Sequence, residues 1–211
     1  MLKLSRLLSL AALTLALTTA ATAQTTTAGK IFSRMDFAVS GTGLFTSSVS
    51  GTNYLKQPLT VKPSSTVGAA VQLRYTKSPF IGFEGTYSYA RYTENYSCCV
   101  TGGIQTNAHE LTGGYLVHGP NILGAIPFAS IGAGSTEFKP TANGGQGFLK
   151  QYRATYYYSV GFDAPLLSNH FGVRGQFRQL LYLAPDYGQN YITIKQRAVT
   201  SEPAIGFYLK F

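Results

Sequence analysis

The chain has 211 residues, with 17 basic against 8 acidic side chains, a formal net charge of +9, and only 12% of its residues charged. Such a balance raises nucleic acid as a partner, but the cations are scattered rather than gathered on a binding motif, so nucleic acid is set aside. Tyr (15), Phe (13) and Gly (23) are abundant, and the length suits one domain behind a leader.

The leader comes first. Met1 to Ala23 opens with Lys3 and Arg6, continues with an apolar run from Leu7 to Leu17, and closes on Ala21-Thr22-Ala23 before Gln24. This is the pattern of a secretory signal peptide cleaved after Ala23. The apolar run is shorter than the roughly 18 to 20 residues that span a bilayer as a helix. Residues 24–33 form a short polar leader, expected on the periplasmic side, and 34–211 the domain proper. An exported chain seldom meets nucleic acid, which agrees with the first exclusion.

Eight alternating stretches follow, each read as a strand because one parity is apolar and the other small or polar. The first, Arg34 to Phe45, sets Met35, Phe37, Val39 and Phe45 against Asp36, Ala38, Ser40 and Thr42. Thr46 to Ser65 is polar and contains proline, and is expected to be irregular. The second strand, Val67 to Thr76, sets Val67, Val71, Leu73 and Tyr75 against Gly68, Gln72 and Arg74. After the turn Lys77-Ser78-Pro79, the third runs from Phe80 to Ala90 with Ile81, Phe83, Tyr87 and Tyr89 opposite Gly82, Glu84, Thr86 and Ser88.

A loop from Arg91 to Gly103 holds the only cysteines, Cys98 and Cys99. The fourth strand, Ile104 to Val117, puts His109, Leu111, Tyr115 and Val117 on one face and Thr106, Glu110, Thr112 and Gly114 on the other. The fifth, Ile126 to Phe138, has small residues on both faces and its parity is left open. Beyond the Asn143-Gly144-Gly145 loop, the sixth, Tyr152 to Asp163, sets Ala154, Tyr156, Tyr158, Val160 and Phe162 against Thr155, Tyr157, Ser159, Gly161 and Asp163. The seventh sets Phe171, Val173 and Phe177 against Gly172, Arg174, Gln176 and Arg178, fading near Leu183. Ala184 to Asn190 is a loop, and the eighth strand ends with Ile205, Phe207, Leu209 and Phe211 on its apolar parity.

Connections after odd-numbered strands are mostly longer and more polar than those after even-numbered ones. That asymmetry, with an even number of strands of about 10 residues, predicts an eight-stranded antiparallel up-and-down transmembrane barrel with both termini in the periplasm. Arg74, Glu84, Glu110, Asp163, Arg174, Arg178 and Glu202 fall on the parity opposite the bulky apolar residues, as does Lys210, so in a membrane barrel they point inward. Arg74 and Glu84 flank one short turn and are placed to pair. Eight strands leave an interior about filled by side chains, so a plugged barrel is expected rather than a porin. Alternation reads equally well in a soluble exported barrel with the apolar parity turned in, which would bind a small ligand.

Gly206-x-x-Leu209-x-Phe211 resembles the C-terminal insertion signal of bacterial outer-membrane barrels. With Val160-Gly161-Phe162-Asp163 and Val173-Arg174-Gly175-Gln176-Phe177-Arg178, the pattern from about residue 31 to 211 resembles the OmpA-like eight-stranded outer-membrane domain. The resemblance implies residence in the outer membrane and insertion by the barrel-assembly machinery. It also implies a structural or surface-interaction role through outer loops, with lipid, lipopolysaccharide and a surface protein or host ligand as partners. A small channel or hydrophobic-ligand conduit of the OmpW-like kind is the alternative. The chain ends at Phe211, so the peptidoglycan-binding domain that often follows such a barrel is not expected.

Three further groups of residues have chemistry to offer. Cys98 and Cys99 are read as a vicinal disulfide or a pair of free thiols in an oxidising compartment. His109 and Glu110 alternate to opposite faces and the Ser168 and His170 pair falls in a periplasmic turn, so no catalytic triad is assembled for lipid hydrolysis and no enzyme is expected. The outer loops and strand ends carry an excess of cations. Among them Lys139, Lys150 and Arg153 are the candidate contacts for lipopolysaccharide phosphates. No cofactor or metal site is assigned.

Overall fold

The computed structural model describes residues 27–168 and 170–211. The expected signal peptide, the start of the expected leader and the Asn169 turn position lie outside the described residues. The described chain opens on a short helix, α1 (Thr27–Phe32), and continues as β1 (Met35–Thr46), β2 (Val49–Thr52), β3 (Pro58–Pro63), β4 (Thr66–Thr76) and β5 (Ile81–Tyr96). It ends with β6 (Ile104–His118), β7 (Ile126–Pro140), β8 (Gln151–Ser168), β9 (Phe171–Leu183) and β10 (Arg197–Lys210).

Eight of these strands close on themselves. β1 pairs with both β4 and β10, and antiparallel neighbours continue through β5, β6, β7, β8 and β9, so the sheet has no seam. Closure removes the unpaired edge that lipid could not satisfy. The apolar parity faces outward on every strand: Phe37, Val71, Phe83, Tyr115, Ile131, Val160, Phe177 and Phe207 are all exposed. Exposed apolar rings and branched chains around the whole circumference are the reverse of a soluble barrel, so the soluble alternative is set aside.

The open parity of β7 resolves with Phe128, Ser130, Thr136 and Phe138 buried inside and Ala129, Ile131 and Ala133 outside. Inside, Gly132 is required by close approach: a Cβ there would lie 2.6 Å from Tyr157 Cε1 and would also meet the Gly113 carbonyl. The missing side chain is what lets the Tyr157 ring lie in the lumen.

The outer end differs from expectation. The irregular stretch between β1 and β4 folds as the β2–β3 hairpin, in register from Val49↔Val61 to Thr52↔Pro58, and β3 also pairs with β5 at Tyr96, Asn95 and Glu94. It folds because Val49, Leu59 and Val61 find an apolar partner surface that the sequence does not display locally. β5 likewise runs beyond Ala90, with Tyr92, Glu94 and Tyr96 inward. Tyr92 and Tyr96 join Ile104, Phe138, Tyr182, Tyr187 and Ile192 in one buried cluster over the end of the barrel.

Candidate functional site: a plugged lumen and a charged outer rim

Inward parity alone places charges in the lumen, and strand register decides which of them meet. Arg74 lies opposite Glu84 across β4 and β5, and its Nε donates to Glu84 Oε2 at 3.0 Å. Glu84 Oε1 also accepts from Ser130 at 2.6 Å and Tyr157 at 2.9 Å. On β9, Arg174 forks onto Asp163, Nε to Oδ1 at 2.7 Å and Nη2 to Oδ2 at 2.9 Å, and reaches Asp36 Oδ1 at 2.8 Å. Four residues further along β9, Arg178 donates to Glu202 Oε2 and Glu110 Oε1, each at 2.6 Å, and to Thr112 Oγ1 at 3.0 Å.

Seven of the eight charged residues assigned to the interior are thus brought into ion pairs, together with Asp36, which sat on the inward parity of the first strand but was not counted among them. Aromatic faces complete the packing. The Arg74 guanidinium carbon sits 3.9 Å from the Phe128 ring centroid and that of Arg178 4.9 Å from Tyr157. A cation held between carboxylates and ring faces keeps its charge compensated out of water. Phe128 could not be found from sequence because the parity of its strand was open. Lys210, by contrast, is exposed at the rim that carries the chain termini, the periplasmic one in the expected orientation.

Two spaces flank the ion pairs. At the periplasmic mouth a cavity of about 380 Å³ is lined by Asp36, His118, Asp163 and Tyr208. Toward the outside only about 20 Å³ remains, between Glu110, Tyr92, Phe138 and Tyr182, room for about one water. Above it the cap closes: Tyr96 Oη donates to Glu94 Oε2 at 2.9 Å, Tyr187 Oη and Thr106 Oγ1 are 2.7 Å apart, and Asn53 Nδ2 reaches the Tyr191 carbonyl at 3.0 Å. Glu94 lies beyond Arg91, outside the membrane-spanning part of β5. Burial pushes its carboxyl up to about 8, only partly relieved by the Tyr96 hydroxyl.

On the outer rim, Lys150 pairs with Glu137 at 3.1 Å and Arg153 with Asp186 at 3.0 Å, while Lys139 is exposed and makes no ion pair among the described residues. Arg153, expected among the cations of the outer rim, occupies the inward parity of β8 and turns to Asp186 in the loop after β9. Cys98 and Cys99 are bonded to each other at the tip of the β5–β6 loop, with Cys99 in the left-handed region at φ 73°. His109 faces outward, its Nδ1 2.8 Å from Tyr87 Oη, whereas Glu110 is inside. Gly206, Leu209 and Phe211 stay at the periplasmic end of β10, where Gly206 pairs with Ser40 and Leu209 with Phe37.

The architecture is that of an eight-stranded outer-membrane β-barrel, with the apolar face outward and the lumen occupied by ion pairs. Solved structures of this class superpose on it. The outer membrane protein OprG from Pseudomonas aeruginosa matches with a TM-score of 0.57 at 16% identity, over 84% of this chain and 95% of that one. Neisserial surface protein A matches with a TM-score of 0.53 at 9% identity, over 83% and 97% of the two chains. At these identities the likeness is one of fold. No protein-family model matches the sequence, and no curated protein sequence matches it.

Proposed function

We propose that the chain is exported by a signal peptide cleaved after Ala23, inserted into the outer membrane, and acts there as a sealed structural and surface-contact module. The observation that carries this reading is the obstruction of the lumen at two levels, by three buried arginines with their carboxylates and by the Tyr-rich cap. A conduit for ions or apolar molecules needs a path, and the residual 20 Å³ provides none. The hairpin and loops held over that cap offer a fixed outer surface, which suits contact with lipopolysaccharide, a surface protein or a host ligand. Gly206, Leu209 and Phe211 at the end of β10 serve recognition by the barrel-assembly machinery.

Planar-bilayer recording of the refolded protein tests the reading. The expected result is no step conductance above that of lipid alone. Stable open steps would favour the conduit alternative. An Arg178→Ala/Tyr92→Ala variant, which hollows both levels, should gain conductance if they are the seal.

A further inference from the structure

Which surface meets the lipid headgroups is decided by the outward parity near the outer ends of β5 to β8. Register aligns Tyr87, Leu111, Ser135 and Ala154 in one row across these strands, Tyr89, His109, Glu137 and Tyr152 in the next, and Arg91, Asn107 and Lys139 in a third. The wall therefore passes from apolar, through a Tyr and His row, to cations over four residues of strand, the order in which a bilayer passes from acyl chain to headgroup. The Tyr89 ring lies against His109 in a tilted contact, centroids 5.0 Å apart, and the Tyr89 hydroxyl donates to Asn107 Oδ1 at 3.1 Å. Arg91 Nε donates to the same Asn107 oxygen at 2.7 Å. Asn107 thus fixes the guanidinium while its two terminal amino groups have no partner among the described residues.

Arg91 and Lys139 are both exposed and flank Asn107 from its two neighbouring strands, about 10 Å apart at the usual strand spacing. Lys150 stands beside them on Glu137, the one carboxylate in the patch. The outer ends of β9, β10 and β1 present Leu181, Val199 and Phe45 outward instead; the exposed Arg197 at the start of β10 shares that parity but is separated from β8 by β9 and from β5 by β1 and β4.

We infer that Arg91, Lys139 and Lys150, above the Tyr89 and His109 row, form a binding site for the phosphorylated headgroup of an outer-leaflet lipid of the lipopolysaccharide type. The site rests on the reading of the barrel as an outer-membrane protein and gives its lipid contact a residue set. Arg91 and His109 enter that set and Arg153 leaves it. A phosphate accepts from the free guanidinium and ammonium donors while the acyl chains lie along Leu111 and Tyr87.

The full mature chain is reconstituted in phosphatidylcholine vesicles containing a fixed fraction of lipopolysaccharide, extracted in mild detergent, and assayed for retained lipopolysaccharide. Arg91→Gln/Lys139→Gln should retain it about thirtyfold more weakly, at about fivefold for each cation lost at a lipid surface. Lys56→Gln, in the turn of the β2–β3 hairpin, should behave as wild type. Lipopolysaccharide stripped of its phosphates should bind wild type as weakly as it binds the double variant, and inorganic phosphate should not compete.

Equal retention by wild type and Arg91→Gln/Lys139→Gln would overturn the site, as would equal loss in the loop variant. Competition by inorganic phosphate would overturn the lipid assignment. Heat-dependent gel mobility of each sample separates the two failures. A shift with unchanged retention refutes this site alone, whereas a wild-type chain with no shift refutes the membrane reading beneath it.

Discussion

Replacing Arg178 by Met removes the cation that two buried carboxylates share. Its guanidinium is 2% exposed, Glu110 and Glu202 are 4% and 0% exposed, and both lie at 2.6 Å. Breaking a buried pair by deleting one partner costs about 3 to 5 kcal/mol, because the remaining charge is left out of water and uncompensated. Two carboxylates depend on this one cation, so the upper end of that range is expected. With a urea dependence of about 2 kcal/mol per molar, a loss of about 5 kcal/mol lowers the unfolding midpoint by about 2.5 M. The midpoint is read from the heat-shifted gel band of vesicle-inserted protein across a urea series. Removing the carboxylates as well, in Arg178→Met/Glu110→Gln/Glu202→Gln, should recover most of the loss, since no uncompensated charge remains. A single variant with the wild-type midpoint, or a triple variant no better than the single one, would refute the reasoning.

The cap gives a pH dependence. Glu94, pushed up to about 8 from 4.5, contributes stability that is fully present below 4.5 and lost as pH rises through about 8. At 1.36 kcal/mol per pH unit the change amounts to about 5 kcal/mol. Glu94→Gln should flatten it, so urea midpoints of wild type and variant taken at about pH 4 and about pH 9 should diverge only at the alkaline end. Gly132→Ala should lower the midpoint by about 1 M or more through overpacking against Tyr157 and the Gly113 carbonyl, and an unchanged midpoint would show that the wall can give way. Tyr157→Phe, which takes one donor from buried Glu84 while Arg74 and Ser130 remain, should cost about 1 to 2 kcal/mol in the same urea series.

The barrel was legible because lipid imposes alternation on every spanning strand. Phe37 against Asp36, Leu73 against Arg74 and Phe177 against Arg178 each place a bulky apolar residue outside and a charge inside. The pairing of Arg74 with Glu84 was legible too, since one short turn sets their register. What local pattern could not show is contact between distant segments. Val49, Leu59 and Val61 sit among polar residues and two prolines, and are buried in a cluster assembled from segments distant in sequence, among them β5 and the loop after β9. Arg91 and Glu94 read as loop charges, although one anchors to Asn107 on the outer wall and the other is sealed beneath the cap. In β7, Gly132 and Gly134 erase the size contrast that alternation depends on, because the space they leave is taken by side chains of the neighbouring strands, Tyr157 of β8 and Thr112 of β6.

The central claim is that the apolar parity faces lipid and the charged parity a filled lumen. Expressing the full precursor in a Gram-negative host and comparing boiled with unboiled protein from the outer-membrane fraction tests it directly. The account predicts a detergent-resistant band in that fraction that changes mobility only on heating. A soluble periplasmic product with no heat-dependent shift would contradict it, and would reverse every inward and outward assignment on which the lumen and the lipid site depend.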